Sequence, residues 1–332
     1  MARTMRAVVL TEPGPVEKLE IQELPVPEPP RGWVRIAVKA FGLNRSEHHM
    51  RIGVAEGVRY PIVPGIEAVG VVDAAPDSDL RPGQQAAAMM GGMGRAYNGG
   101  YAEYTVVPRS SVVPFHSTLP WGVLGAVPET LQTAYGSLTV GLDLQPGQTV
   151  LIRGGTSALG YAAAAVARDR GATVLATTRQ PERLDELAAC GVDHPILDDG
   201  DVARQVRRIA PDGVDAALEL VGTPTLPDTL LATRIHGTVC FAGMLSNQWI
   251  VHDFYPIGYL PSGVRLTAYS GEAGDLPAPV LQGYLDRMAA GTFDLGPVTT
   301  YPMDRIRDAS QAVETNTVSG KVVVLTGHGE EA

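Results

Sequence analysis

The segment 149–152 (TVLI) stops at Arg153, turns through Gly154, Gly155, Thr156 and Ser157, and enters the alanine-rich stretch 158–170. Nothing else in the chain constrains it more. A short strand of buried type, a glycine turn and an apolar helix in that order make one unit of a parallel sheet with crossover helices. The alternation continues, with strands predicted at 173–177, 195–197, 214–220 and 238–243 and helices at 181–189, 202–209 and 225–233. A helix over 130–141 leads into it. This part reads as α/β, a doubly wound parallel sheet with crossover helices.

The flanks have another texture. In residues 1–110, runs rich in Val, Ala and Ile (5–10, 33–41, 68–73, 85–90 and 102–108) are separated by PVPEPP at 25–30, RPG at 81–83 and the glycine-rich 91–100. Strands this short predict a compact β-barrel-like domain. A strand at 264–269, helices at 276–290 and 304–314 and a final strand at 321–325 complete the chain. The predicted picture is a β-rich N-terminal part (1–125), a doubly wound middle (126–271) and a C-terminal return (272–332).

Asp and Glu number 36 against 26 Lys and Arg, a formal charge of −10. That field repels phosphate backbones and acidic lipid, so neither nucleic acid nor a membrane is expected as a partner. An anionic ligand then needs a local basic cluster. Cys190 and Cys240 are the only cysteines, which excludes a four-cysteine zinc site and a disulfide framework. The start, MARTMRAVVL, lacks the apolar length of a secretory signal, and no stretch of about eighteen apolar residues follows. A cytoplasmic location is expected.

Gly154 and Gly160 bound a G-x-x-x-x-x-G frame, with Ser157 where a third glycine often lies. Small residues let a pyrophosphate approach the backbone, and the helix start offers N–H groups and the positive end of its dipole. Gly154, Thr156, Ser157, Ala158, Leu159 and Gly160 are therefore candidate cofactor contacts. About twenty-three residues after Gly154, a site for NAD would carry Asp or Glu on the ribose. Here stand Thr177, Thr178 and Arg179, with Arg183 one helical turn on. Two guanidinium groups and no carboxylate suit a ribose phosphate, so the expected cofactor is NADPH.

Six segments in order resemble the medium-chain dehydrogenase/reductase superfamily over nearly the whole chain. They are GLNRSEHHMRIG (42–53), PGIEAVGVV (64–72), GGYAEYTVVP (99–108), LQTAYGSL (131–138), GGTSALG (154–160) and SGKVVVL (319–325). The nearest branch is the zinc-free quinone oxidoreductase and enoyl reductase group. The resemblance implies a GroES-like β-barrel-type catalytic domain, split between the two ends of the chain around a Rossmann domain. Zinc-dependent members would carry Cys at Asn44 and His at Ile66. Isoleucine has no donor atom and an amide is a poor zinc ligand, so no metal ligands are expected.

Without a Lewis acid, the chemistry implied is hydride delivery to an electron-poor acceptor, a quinone or the C=C of an α,β-unsaturated carbonyl. Asn44 matches an asparagine of the zinc-free branch and is the candidate donor to the developing oxyanion. His49 falls where some relatives carry tyrosine and is the candidate proton donor, beside water or bulk solvent. Glu67 is expected to pair with Arg51 or another cation. Thr133, Val221, Gly243, Met244 and Ser270 are candidates for the ribose and nicotinamide lining. Lys321 either approaches the adenosine phosphate or is an exposed lysine. By resemblance, a homodimer is expected through edge pairing of 264–269. Two other readings stand: a reductase of a specialised biosynthetic enoyl intermediate, and an NADPH-binding sensor or structural protein with little catalysis.

Overall fold

In the computed structural model, which describes residues 3–328, the first seven strands are β1 (Thr4–Leu10), β2 (Leu19–Pro25), β3 (Trp33–Gly42), β4 (Glu67–Ala74), β5 (Gln85–Met89), β6 (Tyr104–Pro108) and β7 (Val112–Pro114). Six follow in the middle of the chain: β8 (Thr149–Arg153), β9 (Thr173–Thr178), β10 (His194–Leu197), β11 (Val214–Glu219), β12 (Thr233–Phe241) and β13 (Arg265–Ala268). The last two are β14 (Val298–Pro302) and β15 (Lys321–Leu325). Two compact units result, Met1–Gln132 with Glu272–Phe293 and Pro297–Ala332, and Thr133–Gly271 with Asp294–Gly296. Residues 1–2 and 329–332 of the predicted bounds lie outside the described ones.

The first unit is GroES-like. Its larger sheet runs β14-β15-β3-β4-β5-β7, with β6 pairing β3. β3 shows why the sequence folds this way: Val34, Ile36, Val38 and Ala40 are fully buried while Trp33, Arg35, Ala37 and Lys39 are not. That period of two puts one face on a core shared with Val8, Leu10, Val322 and Val324. β15 pairs antiparallel to β3 through Val323↔Gly42. The C-terminal strand therefore lies beside the start of the loop that carries Asn44. Strands β2, β7 and β14 and a helix in this unit escaped the sequence reading. β2 pairs with β1 along its whole length, from Thr4↔Pro25 to Leu10↔Leu19. Arg45–Arg51 is a seven-residue helix.

The second unit is a six-stranded parallel sheet in the order β10-β9-β8-β11-β12-β13. The chain starts at β8, builds outward through β9 and β10, then returns to the other side of β8 at β11. The strand order reverses between β8 and β11, and open α/β sheets bind ligands at the carboxyl ends flanking such a point. Val150, Leu151 and Ile152 are fully buried, as are Ala162, Ala163, Val166 and Ala167 of the helix Ala158–Asp169. Alanine on that face brings the helix axis close to the strands. The predicted helix at 181–189 begins as a tighter turn, Pro181–Arg183, before Leu184–Ala189.

Candidate functional site

In the Rossmann unit, β8 hands over to Gly154, whose φ of +91° would strain any L side chain. A Cβ at Gly160 would sit 2.4 Å from the Gly154 carbonyl oxygen, so only glycine lets the first helical turn close on the glycine loop. Ser157 caps that helix: its Oγ accepts from the Gly160 N–H (3.0 Å) and donates to the Gly154 carbonyl (2.9 Å). The next strand grips the turn. Gly154 N–H donates to Thr177 Oγ1 (3.1 Å) and Gly155 N–H to the Thr177 carbonyl (2.8 Å). Ala158 and Leu159 open the helix, at the end where backbone N–H groups lack intrahelical acceptors.

The remaining candidates of this unit fall around the same strand ends. A Cβ on Gly154 would stand 3.4 Å from both Leu220 Cβ and Val221 Cγ2, so the turn and the end of β11 are neighbours. Gly243 N–H donates to the Glu219 carbonyl (3.2 Å) and Ser246 N–H to the Val221 carbonyl (2.8 Å), which joins Val221 to the Gly243-Met244 loop. Thr178 is buried, its Oγ1 accepting from Gln180 N–H at 3.2 Å. Arg179 is exposed beyond β9, whereas Arg183 is buried in the following turn. Thr133 is buried in the helix Pro128–Gly136, and Ser270 is exposed after β13.

Two charged residues of this region were not singled out from sequence. Glu219, fully buried at the end of β11, accepts from Val221 N–H (2.7 Å), Gly222 N–H (3.1 Å), Thr225 Oγ1 (2.9 Å) and Thr229 Oγ1 (2.6 Å). One carboxylate thus shapes the loop that presents Val221. Burial raises its pKa, against the pull of these donors. Arg153, fully buried at the end of β8, binds Asp198 through Nε (2.7 Å) and Nη2 (3.0 Å) and Asp228 through Nη1 (2.6 Å).

The GroES-like unit gathers a second set. Asn44 is the N-cap of the helix Arg45–Arg51 and is half-buried. Its Nδ2 donates to Glu67 Oε1 (2.9 Å) and its Oδ1 accepts from Lys321 Nζ (2.5 Å). Lys321 also pairs with Glu67 (2.6 Å) and stands 3.5 Å from Glu129. Glu129 N–H donates to Glu67 Oε2 at 2.9 Å. Glu47 completes the set, accepting from Asn44 N–H (3.0 Å) and Ile66 N–H (2.9 Å). Burial alone would push the Lys321 ammonium down; Glu67, Glu129 and Glu47 outweigh it and hold it above its usual range.

One expectation is corrected here and another is narrowed. Lys321 is neither exposed nor available to an adenosine phosphate: it is 4% exposed, and its three N–H groups face Glu67, Asn44 and Glu129. Of the two alternatives for Glu67, the other cation holds: its partner is Lys321, while Arg51 binds Glu314 at 2.5 Å. The physical reason is the pairing of β15 with β3, which brings residue 321 beside residues 42–44. His49 is buried in the same helix as Met50, its ring centroid 5.9 Å from that of His48. Burial lowers His48 to about 4, so its ring is neutral at physiological pH.

Comparison with known proteins places these units in a family. The model described as "Alcohol dehydrogenase GroES-like domain" matches residues 30–117, and "Zinc-binding dehydrogenase" matches 158–266. A synaptic vesicle membrane protein VAT-1 homolog-like protein of Mus musculus is 31% identical over 66% of this chain, and the match spans 51% of that protein. The quinone oxidoreductase of Lama guanicoe is 26% identical over 97% of this chain and 98% of its own. The crystal structure of AibC superposes with a TM-score of 0.85 at 28% identity, covering 97% of this chain and 96% of that one.

The zinc in the second description does not fit the residues present. Ile66 has no donor atom, the Asn44 amide is engaged by Glu67 and Lys321, and an ammonium already stands 2.6 Å from Glu67. Among the described residues, no group of three or more His, Cys, Asp or Glu could hold a metal ion. No described helix is long and apolar enough to cross a membrane. On its two matched domains, its sheet topology and its full-length relatives, this chain belongs to the medium-chain dehydrogenase/reductase superfamily, with a GroES-like domain and a Rossmann domain of the NAD(P)-binding kind.

Proposed function

We propose that the protein is a zinc-independent, NADPH-dependent reductase of electron-poor small molecules, a quinone or the C=C of an α,β-unsaturated carbonyl. The observation that carries the reading is the Asn44 group. A polarised amide N–H donor is built into buried charges where a metal site would need thiolate and imidazole. Amide donors stabilise an oxygen that becomes anionic, but they do not generate an alkoxide from an alcohol as a metal does. That favours reduction of acceptors already short of electrons.

Bound NADPH would supply the hydride. The residues to hold it are the 154–160 turn for the pyrophosphate, Arg179 and Arg183 for the ribose phosphate, and Val221, Gly243, Met244, Thr133 and Ser270 for the nicotinamide side. As hydride arrives at the acceptor carbon, charge collects on the carbonyl oxygen, where the Asn44 N–H donates. A proton from His49 or from water then completes the reduction. The outer edge of β13, with Ile235 exposed on the neighbouring β12, is the edge we assign to homodimer formation.

Two experiments test this. Asn44→Ala should lower kcat about ten- to hundredfold on a quinone and an enone while leaving the NADPH dissociation constant within about twofold. Unchanged kcat removes Asn44 from the reaction. The double variant Arg179→Ala/Arg183→Ala should raise KM for NADPH about tenfold or more, each lost charge-assisted hydrogen bond being worth about 1.5–3 kcal/mol. KM for NADH should hardly move, and an equal rise for both cofactors refutes the phosphate assignment.

A further inference from the structure

We infer that Lys321 is a positioning residue that fixes which end of the Asn44 amide meets the substrate oxygen. The inference rests on the reading of Asn44 given above. An amide side chain has an acceptor end and a donor end, and rotation by half a turn exchanges them. A substrate oxygen gaining negative charge is helped by the donor end and repelled by the acceptor end. Something has to choose.

The choice is made by two groups of opposite kind. Lys321 Nζ can only donate and lies 2.5 Å from Asn44 Oδ1; Glu67 Oε1 accepts from Asn44 Nδ2 at 2.9 Å. Turning the amide over would set its carbonyl against the carboxylate and its NH2 against the ammonium. Glu67 is fully buried and Lys321 is 4% exposed, so water does not dilute this preference. With the carbonyl end held at Lys321 and one Nδ2 hydrogen on Glu67, the amide hydrogen left to a substrate is the second N–H, a donor.

The surrounding chain is built to keep the pair in place. A Cβ at Gly42 would fall 2.3 Å from Glu67 Oε1 and 2.5 Å from Lys321 Cε, so glycine is the residue that leaves room for it. Glu67 Oε2 is anchored by the Glu129 N–H, and the Asn44 backbone N–H by Glu47. The amide therefore rotates neither about its own axis nor with its backbone. Lys321 touches no reacting atom in this scheme and acts through Asn44.

The test compares Asn44→Ala, Lys321→Met and the double variant Glu67→Gln/Lys321→Met in the full chain, by thermal midpoint, kcat on an enone and NADPH titration. Lys321→Met orphans a buried carboxylate and should lower the midpoint strongly. The double variant removes both charges and should recover most of that midpoint. Its amide is no longer oriented, so its kcat should stay about tenfold or more below wild type, with KM for NADPH unchanged. A double variant that regains wild-type kcat along with its midpoint would show Lys321 to be structural only, and would overturn the inference. If kcat of Asn44→Ala equals wild type, the underlying reading of Asn44 fails instead, which the same data set distinguishes.

Discussion

Methionine at position 153 should lower the unfolding free energy of the Rossmann unit by about 3–5 kcal/mol. Arg153 is fully buried, and its guanidinium holds Asp198 by two bonds and Asp228 by a third. Asp228 in turn accepts from Val202 N–H (3.0 Å) and Ala203 N–H (3.1 Å) at the start of the helix Val202–Ile209. One cation thus ties β8, the turn after β10 and the starts of two helices. Methionine fills a similar volume yet leaves two carboxylates without their counter-charge. Urea unfolding followed through the Rossmann unit measures the loss. The triple variant Arg153→Met/Asp198→Asn/Asp228→Asn should recover much of it, because removing a whole buried charge set is far less costly than breaking it. A single variant within about 0.5 kcal/mol of wild type, as ordinary surface changes are, would contradict this account.

The second large effect is a dependence on pH. Burial pushes Glu47 up to about 7, outweighing the N–H groups of Ile66 and Asn44 that favour its carboxylate. The folded chain therefore keeps a proton that the unfolded chain releases near the ordinary glutamate value. Its stabilising share is whole below that value and is lost as pH rises to about 7, a change on the order of 3 kcal/mol. His48 works the other way. Its folded pKa is lowered by burial to about 4, so its share is present above the ordinary histidine value and is lost as pH falls. The wild-type curve mixes both, and subtracting the curve of Glu47→Gln isolates the first. That difference should slope through the acid-to-neutral range; a flat difference would contradict it.

The fold was legible because its signals are local. Alternation with a period of two marks β3, and the strand–glycine–alanine order of 149–170 marks the first Rossmann unit. Two of the elements that escaped have a plain physical cause. β2 alternates only weakly and ends at Pro25, where a turn signal overlaps it. The helix Arg45–Arg51 is short and buries Glu47, His49 and Arg51, so it lacks an apolar stripe.

The charged centres were the least legible. Arg153 and Lys321 find partners far away in sequence, brought near by how the sheets are ordered, whereas Glu219 finds its donors in the loop and helix that follow its own strand. They share one signal that could have found them: a lone charge at the end of an apolar strand, as in VLIR, ALE and KVVVL. A charge that ends or starts such a run is buried with the strand and must meet an opposite charge or a set of hydrogen-bond donors there. The glycine turn and Asn44 were readable as candidates, whereas the ion pair that orients Asn44 was not.

The most direct measurement of the whole reading is nicotinamide absorbance during turnover by chelator-treated full-length protein, with NADPH or NADH and a panel of quinones, enones and enoyl thioesters. The account predicts that NADPH is consumed with at least one of these acceptors, faster than NADH at equal low concentration, and that added zinc brings no increase. Consumption of neither nucleotide across the panel, or activity that appears only when zinc is restored, would contradict it.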